Sequence, residues 1–151
     1  MSDMHTILIV EDNATDVMLI RRAFAKLNIG NPVQVVGDGD RAVDYLSGRD
    51  AYGDRAQFPL PAFVLLDLKL PRRSGLEVLA WLRAQDGLRR LPVVMLTSSR
   101  QAQDVNSAYE LGANSYLVKP VEFDDLQELL GTINTYWVRY NEKPHIAPTV
   151  S

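Results

Sequence analysis

Polar side chains with complementary chemistry follow several apolar runs of this sequence. Glu11 and Asp12 follow the first run, Asp67 follows another, and Thr97 and Lys119 close two more. Continuous apolar runs of this length indicate parallel strands that are buried on both faces. The carboxyl ends of such strands meet at a crevice where ligands bind. The sequence therefore predicts that these five side chains share one site.

Three carboxylates in one site favour a bound cation. Two of them at ~4 Å repel by about 4 kcal/mol when the effective dielectric constant is near 20. Oxygen ligands select a hard ion, and Mg²⁺ is predicted because waters and a substrate phosphate can complete its octahedral shell. His5 and His145 lie near the chain ends and are interpreted as surface residues, and the absence of cysteine excludes thiolate sites and disulfides.

A carboxylate beside Mg²⁺, with an ammonium and a hydroxyl nearby, is suited to phosphoryl transfer. In-line transfer places charge on three equatorial oxygens, which Mg²⁺, the Lys119 ammonium and the Thr97 hydroxyl could stabilise. Asp67 is the predicted nucleophile and would carry the phosphoryl group as an acyl phosphate. Each residue also has an ordinary structural interpretation. Glu11 and Asp12 could form a solvated helix start, Asp67 and Thr97 could form turns, and Lys119 could be a surface charge.

The length and composition predict a single globular domain. The chain has 151 residues, of which 46% are hydrophobic, and its 16 basic and 19 acidic side chains give a net charge of −3. This balance predicts no bulk attraction to nucleic acid or to an anionic membrane. The apolar run Ile7–Val10 is too short for a signal peptide or a membrane span, so a cytoplasmic protein is predicted.

Five apolar runs alternate with five helical patterns, which predicts a parallel sheet covered on both faces. The predicted strands are Ile7–Val10, Val33–Val36, Phe63–Leu66, Pro92–Leu96 and Ser115–Val118. The predicted helices begin near Asn13, Asp40, Ser74, Ser98 and Glu122, with Ser98 and Gln101 as a possible capping box. Residues 48–61 are predicted to be an exposed loop, either a surface insertion or a partner contact.

At these residues the sequence resembles the receiver domain of two-component response regulators. The matching segments are Ile7–Asn13, Leu65–Pro71 with Ser74-Gly75, Met95–Ser98, and Gly112-Ala113 with Tyr116–Pro120. The resemblance implies an α/β, flavodoxin-like, three-layer sandwich whose five-stranded parallel sheet has the order 2-1-3-4-5, with five helices. The chain is accordingly predicted to form a receiver domain over residues 1–140, and the tail at 141–151 is predicted to be too short for a separate output domain.

The resemblance assigns roles to the predicted site residues. Asp67 would take a phosphoryl group from a sensor histidine kinase. Three carboxylates and one backbone carbonyl would hold Mg²⁺, namely those of Glu11, Asp12 and Asp67 and that of Lys69. The resemblance further implies that the peptide bond before Pro120 is cis. Chemistry would be limited to self-phosphorylation and self-dephosphorylation, so the protein is predicted to be a signalling protein and not an enzyme acting on other substrates.

The resemblance also implies a conformational switch. Thr97 would move toward the phosphorylated Asp67, and Tyr116 would turn inward into the space that Thr97 leaves. The fourth helix, fifth strand and fifth helix would then present a different face. Couplings of this kind are typically ~1 to 3 kcal/mol, so partial activity without phosphate is expected. The alternative for Tyr116 is an ordinary half-buried strand tyrosine.

Three segments are similar to the small regulators paired with bacterial phytochrome kinases. These are residues 48–61, Thr135–Trp137 and Tyr140–Pro144. The similarity implies a bacteriophytochrome as the partner kinase, and a homodimer whose interface candidates are Tyr136, Trp137 and Tyr140. The alternative for Trp137 is that it simply closes the core.

Other phosphoryl-handling families fit the sequence less well. A haloacid-dehalogenase-like phosphatase or a Toprim nuclease needs a second acid at the position that Lys69 occupies. Nucleotide-binding glycine motifs are absent, and a flavodoxin would place a hydroxyl-rich loop where Glu11, Asp12 and Asn13 stand. The remaining alternative is a receiver-fold protein-interaction module that is not phosphorylated.

Overall fold

The computed structural model describes residues 5–147 and shows a central sheet flanked by helices. Its elements are, in chain order, β1 (Ile7–Val10), α1 (Ala14–Lys26), β2 (Val33–Val36), α2 (Gly39–Ser47), a 3₁₀ turn (Asp50–Tyr52), β3 (Phe63–Leu66), α3 (Gly75–Arg83), β4 (Val93–Thr97), α4 (Ala102–Glu110), β5 (Ser115–Val118), α5 (Phe123–Asn134) and a π-helical segment (Thr135–Tyr140). The five strands are parallel in the order β2-β1-β3-β4-β5. The predicted flavodoxin-like topology is confirmed.

Alternation along the strands divides the core into two buried clusters, one on each face of the sheet. Leu8, Val64 and Met95 belong to the cluster beneath α2, α3 and α4. Ile9 and Leu65 belong to the cluster beneath α1 and α5. Successive side chains of a strand point to opposite faces, so both faces of each central strand are apolar. This arrangement is the predicted three-layer sandwich. Within residues 5–147 no helix has both the length and the apolarity that crossing a membrane requires.

The start of α4 differs from the predicted one. The helix begins at Ala102, and Ser99 rather than Ser98 supports its first turn. The Ser99 hydroxyl donates to the Asp104 carboxylate and accepts the backbone N–H of Gln101. The predicted capping box of Ser98 and Gln101 is therefore wrong. The turn after β4 is three residues longer than the capping pattern assumed, because the N-cap of α4 is Gln101 and not Ser98.

Residues 48–61 are less exposed than predicted, because aromatic side chains pack the loop onto α2. The ring centroids of Tyr52 and Phe58 lie 5.2 and 5.9 Å from that of Tyr45. The Arg55 guanidinium donates to the backbone carbonyls of Tyr45 (2.7 Å) and Phe58 (3.1 Å). The loop sequence is polar on average, but these few side chains order it against the domain.

The segment 141–147 packs against the amino-terminal ends of the strands. Ile146 contacts the buried cluster beneath α2–α4, and the Ala147 N–H donates to the Gly87 carbonyl at 2.8 Å. The segment borders a cleft of about 260 Å³ that also contains His5 and His145. His145 is exposed and His5 is half-buried. The domain boundary at residue 140 remains a prediction, and residues 148–151 of the predicted tail lie outside the described residues.

Close packing at Gly75 yields a testable stability effect. A Cβ at Gly75 would lie 2.1 Å from the backbone carbonyl oxygen of Asp67. We expect Gly75→Ala to lower the free energy of unfolding by ~1 to 3 kcal/mol, because the chain must shift to relieve the overlap. Gly131 is the control: a Cβ there would meet a Leu27 methyl at an ordinary 3.5 Å. Gly131→Ala should stabilise α5 by roughly 0.5 to 1 kcal/mol. Chemical denaturation of both variants measures the difference, and equal stabilities would contradict the prediction.

Candidate functional site

The ammonium of Lys119 lies at the centre of the site. Among residues 5–147 three carboxylates contact its Nζ, those of Glu11 at 2.6 Å, Asp16 at 2.9 Å and Asp67 at 3.1 Å. Glu11 and Asp67 were predicted from their strand ends, whereas Asp16 was not assigned to the site. The contact joins β1, α1, β3 and the end of β5, so the fold brings together side chains that are far apart in sequence.

Backbone hydrogen bonds beyond the strand ends position these side chains. The Asp67 N–H donates to the Val10 carbonyl (3.1 Å), and the Lys119 N–H donates to the Thr97 carbonyl (2.8 Å). The Asp67 carboxylate is also oriented, since its Oδ1 accepts the N–H of Leu68 at 2.7 Å. Its Oδ2 therefore points to the ammonium of Lys119. Asp67 and Lys119 are thus each held by the main chain of a neighbouring strand.

The predicted acidic cluster is present and suits a divalent cation. One carboxylate oxygen each of Glu11, Asp12 and Asp67 lies within 4.8 Å of the others. Glu11 and Asp67 are buried, whereas Asp12 is exposed and opens the cluster to solvent. Hard oxygen donors without nitrogen or sulfur match the preference of Mg²⁺, Ca²⁺ or Mn²⁺. The Lys69 side chain is exposed, and the role of its carbonyl as a ligand remains a prediction.

The electrostatics of the site keep Lys119 charged and make Glu11 a weak acid. Burial raises the pKa of Glu11 to about 7, and the Asp67 carboxylate adds to this rise while the Lys119 ammonium opposes it. Burial alone would lower the pKa of Lys119, but hydrogen bonds to Glu11 and Asp16 raise it above its ordinary value. The site therefore combines a permanent positive charge with a carboxyl group that gains or loses its proton near neutral pH.

The raised pKa of Glu11 makes cation binding depend on pH. A protonated carboxyl cannot serve as a ligand, so below about pH 7 the cation must displace a proton. We expect the affinity for Mn²⁺ to rise with pH, by up to roughly tenfold per unit below this pKa, and to level off above it. Electron paramagnetic resonance of free Mn²⁺ measures the affinity. Glu11→Gln should flatten this dependence, and a wild-type affinity that falls as the pH rises would contradict the prediction.

Thr97 and Tyr116 meet at the loop that follows β4. Thr97 is buried, and its Oγ1 lies 3.5 Å from the backbone nitrogen of Ser99. The Tyr116 hydroxyl donates to the Ser99 carbonyl at 3.0 Å, and its ring packs against the buried cluster beneath α2–α4. Thr97 also lines a cleft of about 400 Å³ with Asp67. The structure thus links the two predicted switch residues through one loop, and their switching role remains a prediction.

The peptide bond before Pro120 differs from the implied one. No peptide bond within residues 5–147 is cis, so the bond between Lys119 and Pro120 is trans and the expectation of a cis bond is wrong. The trans form of a prolyl bond is favoured by about 0.5 to 1 kcal/mol, and the local sequence does not override it. The Lys119 ammonium reaches its three carboxylates with the trans bond.

The three aromatic interface candidates divide into two groups. Tyr136 and Tyr140 are exposed, with 55% and 70% of their surface accessible. Trp137 is half-buried and packs against the cluster beneath α1 and α5, so it contributes to closing the core. All three lie in the π-helical segment Thr135–Tyr140, which continues α5. Two of the three therefore present free aromatic surface.

Comparison with known proteins places the chain among signalling domains. The profile of the family described as "Response regulator receiver domain" matches residues 7–131. The chain is 42% identical to the probable methanogenesis regulatory protein FilR2 of Methanothrix harundinacea, over 94% of this chain and 89% of that protein. It is 36% identical to the response regulator Rcp1 of Synechocystis, over 87% of this chain and 88% of that protein.

Solved structures give the same result. A response regulator in red light signalling of R. palustris, RPA3017, superposes with a TM-score of 0.88 at 36% identity, over 93% of this chain and 98% of that chain. The Mn²⁺-bound form of the response regulator Rcp1 superposes with a TM-score of 0.83 at 34% identity, over 93% of this chain and 99% of that chain. The bacteriophytochrome response regulator AtBRR superposes with a TM-score of 0.72 at 46% identity, over 92% of this chain and 99% of that chain.

Proposed function

Since this chain belongs to the response regulator receiver domain family, we propose that its phosphoacceptor is Asp67, which takes a phosphoryl group from a sensor histidine kinase in the cytoplasm. The observation that carries this proposal is the setting of the Asp67 carboxylate. It is buried at the end of β3, held by the Leu68 N–H and the Lys119 ammonium, and adjacent to two further carboxylates. The cleft of about 400 Å³ beside it leaves room for an incoming phosphoryl group.

The residues around Asp67 supply the groups that phosphoryl transfer needs. A carboxylate oxygen of Asp67 would form the bond to phosphorus as the bond between phosphorus and the donor histidine nitrogen breaks. The Lys119 ammonium and the Thr97 hydroxyl would hold the phosphoryl oxygens, where negative charge develops. The chemistry proposed is confined to gain and loss of this group on the chain itself. The protein is therefore proposed to be a signalling protein and not an enzyme with external substrates.

The cation of the site is proposed to be Mg²⁺. Glu11, Asp12 and Asp67 would hold it, with the Lys69 carbonyl as a further ligand. When bound, Mg²⁺ neutralises carboxylate and phosphoryl charge. Support comes from the oxygen-only donors and from the similar regulator Rcp1, whose solved form holds Mn²⁺.

The proposed partner is a bacteriophytochrome kinase. Similar proteins include a regulator in red light signalling and a bacteriophytochrome response regulator, and the alignments cover more than nine-tenths of this chain. Thr97 and Tyr116 would transmit phosphorylation to α4, β5 and α5. A homodimer would use the exposed rings of Tyr136 and Tyr140 on the segment that follows α5.

Phosphorylation by acetyl phosphate tests the proposed function. We expect intact mass spectrometry to show a gain of one phosphate group in the presence of Mg²⁺ and none after chelation. A folded protein that takes up no phosphate would contradict the proposal and favour the alternative of a constitutive interaction module. Light-dependent phosphate transfer from a purified bacteriophytochrome kinase, compared with a kinase of another sensor class, tests the proposed partner.

A further inference from the structure

Asp16 contacts Lys119 but lies outside the group of carboxylates suited to a cation. Its Oδ2 is 2.9 Å from Nζ of Lys119, whereas the acidic cluster consists of Glu11, Asp12 and Asp67. The Asp16 backbone N–H donates to the side chain of Asn13, the N-cap of α1, at 2.9 Å. The first turn of α1 therefore holds Asp16 in place, and its carboxylate is built into the site without being a predicted ligand.

Lys119 and a cation need the same carboxylates. The ammonium contacts Glu11 and Asp67, and both belong to the acidic cluster. Two positive charges that share oxygens at these distances repel each other. A divalent ion that enters the cluster must therefore weaken the contacts of Lys119 with these two carboxylates.

Asp16 contacts Lys119 on the side of the site that faces away from the cleft beside Asp67. Asp16 and Lys119 line a small cleft between α1 and the start of α5, together with Leu96 and Glu122. Asp67 instead lines the larger cleft after β4. The ammonium thus has a carboxylate partner on the side away from that cleft.

We propose that Asp16 is a positioning residue that retains Lys119 beside the site when a divalent cation occupies Glu11 and Asp67, and that it thereby strengthens cation binding. The inference rests on the proposed function, because it concerns the cation of the same site. Asp16 acts through Lys119 and not as a ligand. Without it, the ammonium has only the cation's own ligands as partners and competes with the cation for them.

Measurement of Mn²⁺ affinity tests this role. We expect Asp16→Asn to weaken binding by roughly fivefold, within the range of couplings between contacting residues. Asp16→Glu restores the carboxylate and should recover part of the affinity. The matched control is Glu122→Gln, which removes a charge from an exposed side chain in the same cleft. This control should change the affinity by less than about twofold, because exposed charges interact weakly.

Measurements in a Lys119→Met protein distinguish a role of Asp16 through Lys119 from a simple loss of negative charge. In a Lys119→Met protein the ammonium is gone, so adding Asp16→Asn should change Mn²⁺ affinity no more than the Glu122→Gln control does. Equal losses in both backgrounds would overturn the proposal, as would an unchanged affinity of Asp16→Asn alone. Chemical denaturation confirms that each variant is folded.

The two proposals fail in distinguishable ways. If wild type takes up phosphate with Mg²⁺ while Asp16→Asn binds Mn²⁺ as wild type does, only the role of Asp16 is overturned. If folded wild type binds no Mn²⁺ and gains no phosphate from acetyl phosphate, the proposed function fails and the role of Asp16 fails with it.

Discussion

Asp67→Asn is expected to abolish phosphate uptake from acetyl phosphate while the protein stays folded. The amide has the size of the carboxylate and its oxygen can still accept the Leu68 N–H, which is 2.7 Å from Oδ1. An amide is not a competent nucleophile, however, and it cannot form the acyl phosphate. Intact mass spectrometry after incubation with Mg²⁺ and acetyl phosphate measures the effect. Far-ultraviolet circular dichroism checks the fold.

The control for this variant removes an acid outside the site. Asp40 is half-buried and pairs with Arg73 at 3.3 Å, near the start of α2 and away from the acidic cluster. Asp40→Asn should therefore gain one phosphate as the wild type does. Phosphate found on the Asp67→Asn protein would refute the assignment of the phosphoacceptor.

Lys119→Ala is expected to destabilise the cation-free protein strongly. Its side chain is only 13% exposed, and its removal leaves Glu11, Asp16 and Asp67 without their shared counter-charge. Loss of one partner from a buried ion pair costs about 3 to 5 kcal/mol, and we expect the lower end because Asp16 is partly exposed. Saturating Mg²⁺ should restore most of this loss, since the ion supplies positive charge to the same carboxylates.

Denaturant unfolding at pH 8, with and without Mg²⁺, measures the stability of this variant. The control is Lys26→Ala, because Lys26 is exposed on α1 and its ammonium lies 5.6 Å from the ring of Phe123. That change should cost less than about 1 kcal/mol, and Mg²⁺ should not recover it. A Lys119→Ala protein as stable as wild type without Mg²⁺ would contradict the expectation.

The same variant separates phosphate uptake from its structural consequence. We expect Lys119→Ala to accept phosphate on Asp67 but to lose the coupling between Asp67 and the loop that Thr97 and Tyr116 contact. Hydrogen exchange of α4 and β5 should then be equal before and after phosphorylation. In wild type, phosphorylation should change this exchange.

The strand ends could be predicted from the sequence because their signal is local. Four consecutive apolar residues followed by an acid indicate a buried strand with a carboxylate at its end, as at Phe63–Leu66 and Asp67. Parallel topology then brings such ends together. The same reasoning predicted that Glu11 and Lys119 lie in one site, and their side chains are in contact at 2.6 Å.

The parts that the sequence did not predict depend on contacts between distant segments. Asp16 has the pattern of an ordinary acid in the first turn of a helix, and its partner Lys119 is 103 residues further along the chain. The packing of Ile146 against the core follows no local pattern for the same reason. At Pro120 the local sequence permits both isomers, since they differ by only about 0.5 to 1 kcal/mol.

Residues 141–147 pack against the amino-terminal ends of the strands, and attachment of a dye or a resin at these ends keeps it away from Asp67. His5 and His145 border one cleft there. Asp67 follows the opposite end of β3, a strand of 4 residues that spans roughly 13 Å at ~3.3 Å per residue. A label coupled at either histidine is therefore separated from Asp67 by about the length of β3. An immobilised chain would present Asp67 outward, accessible to a kinase in solution.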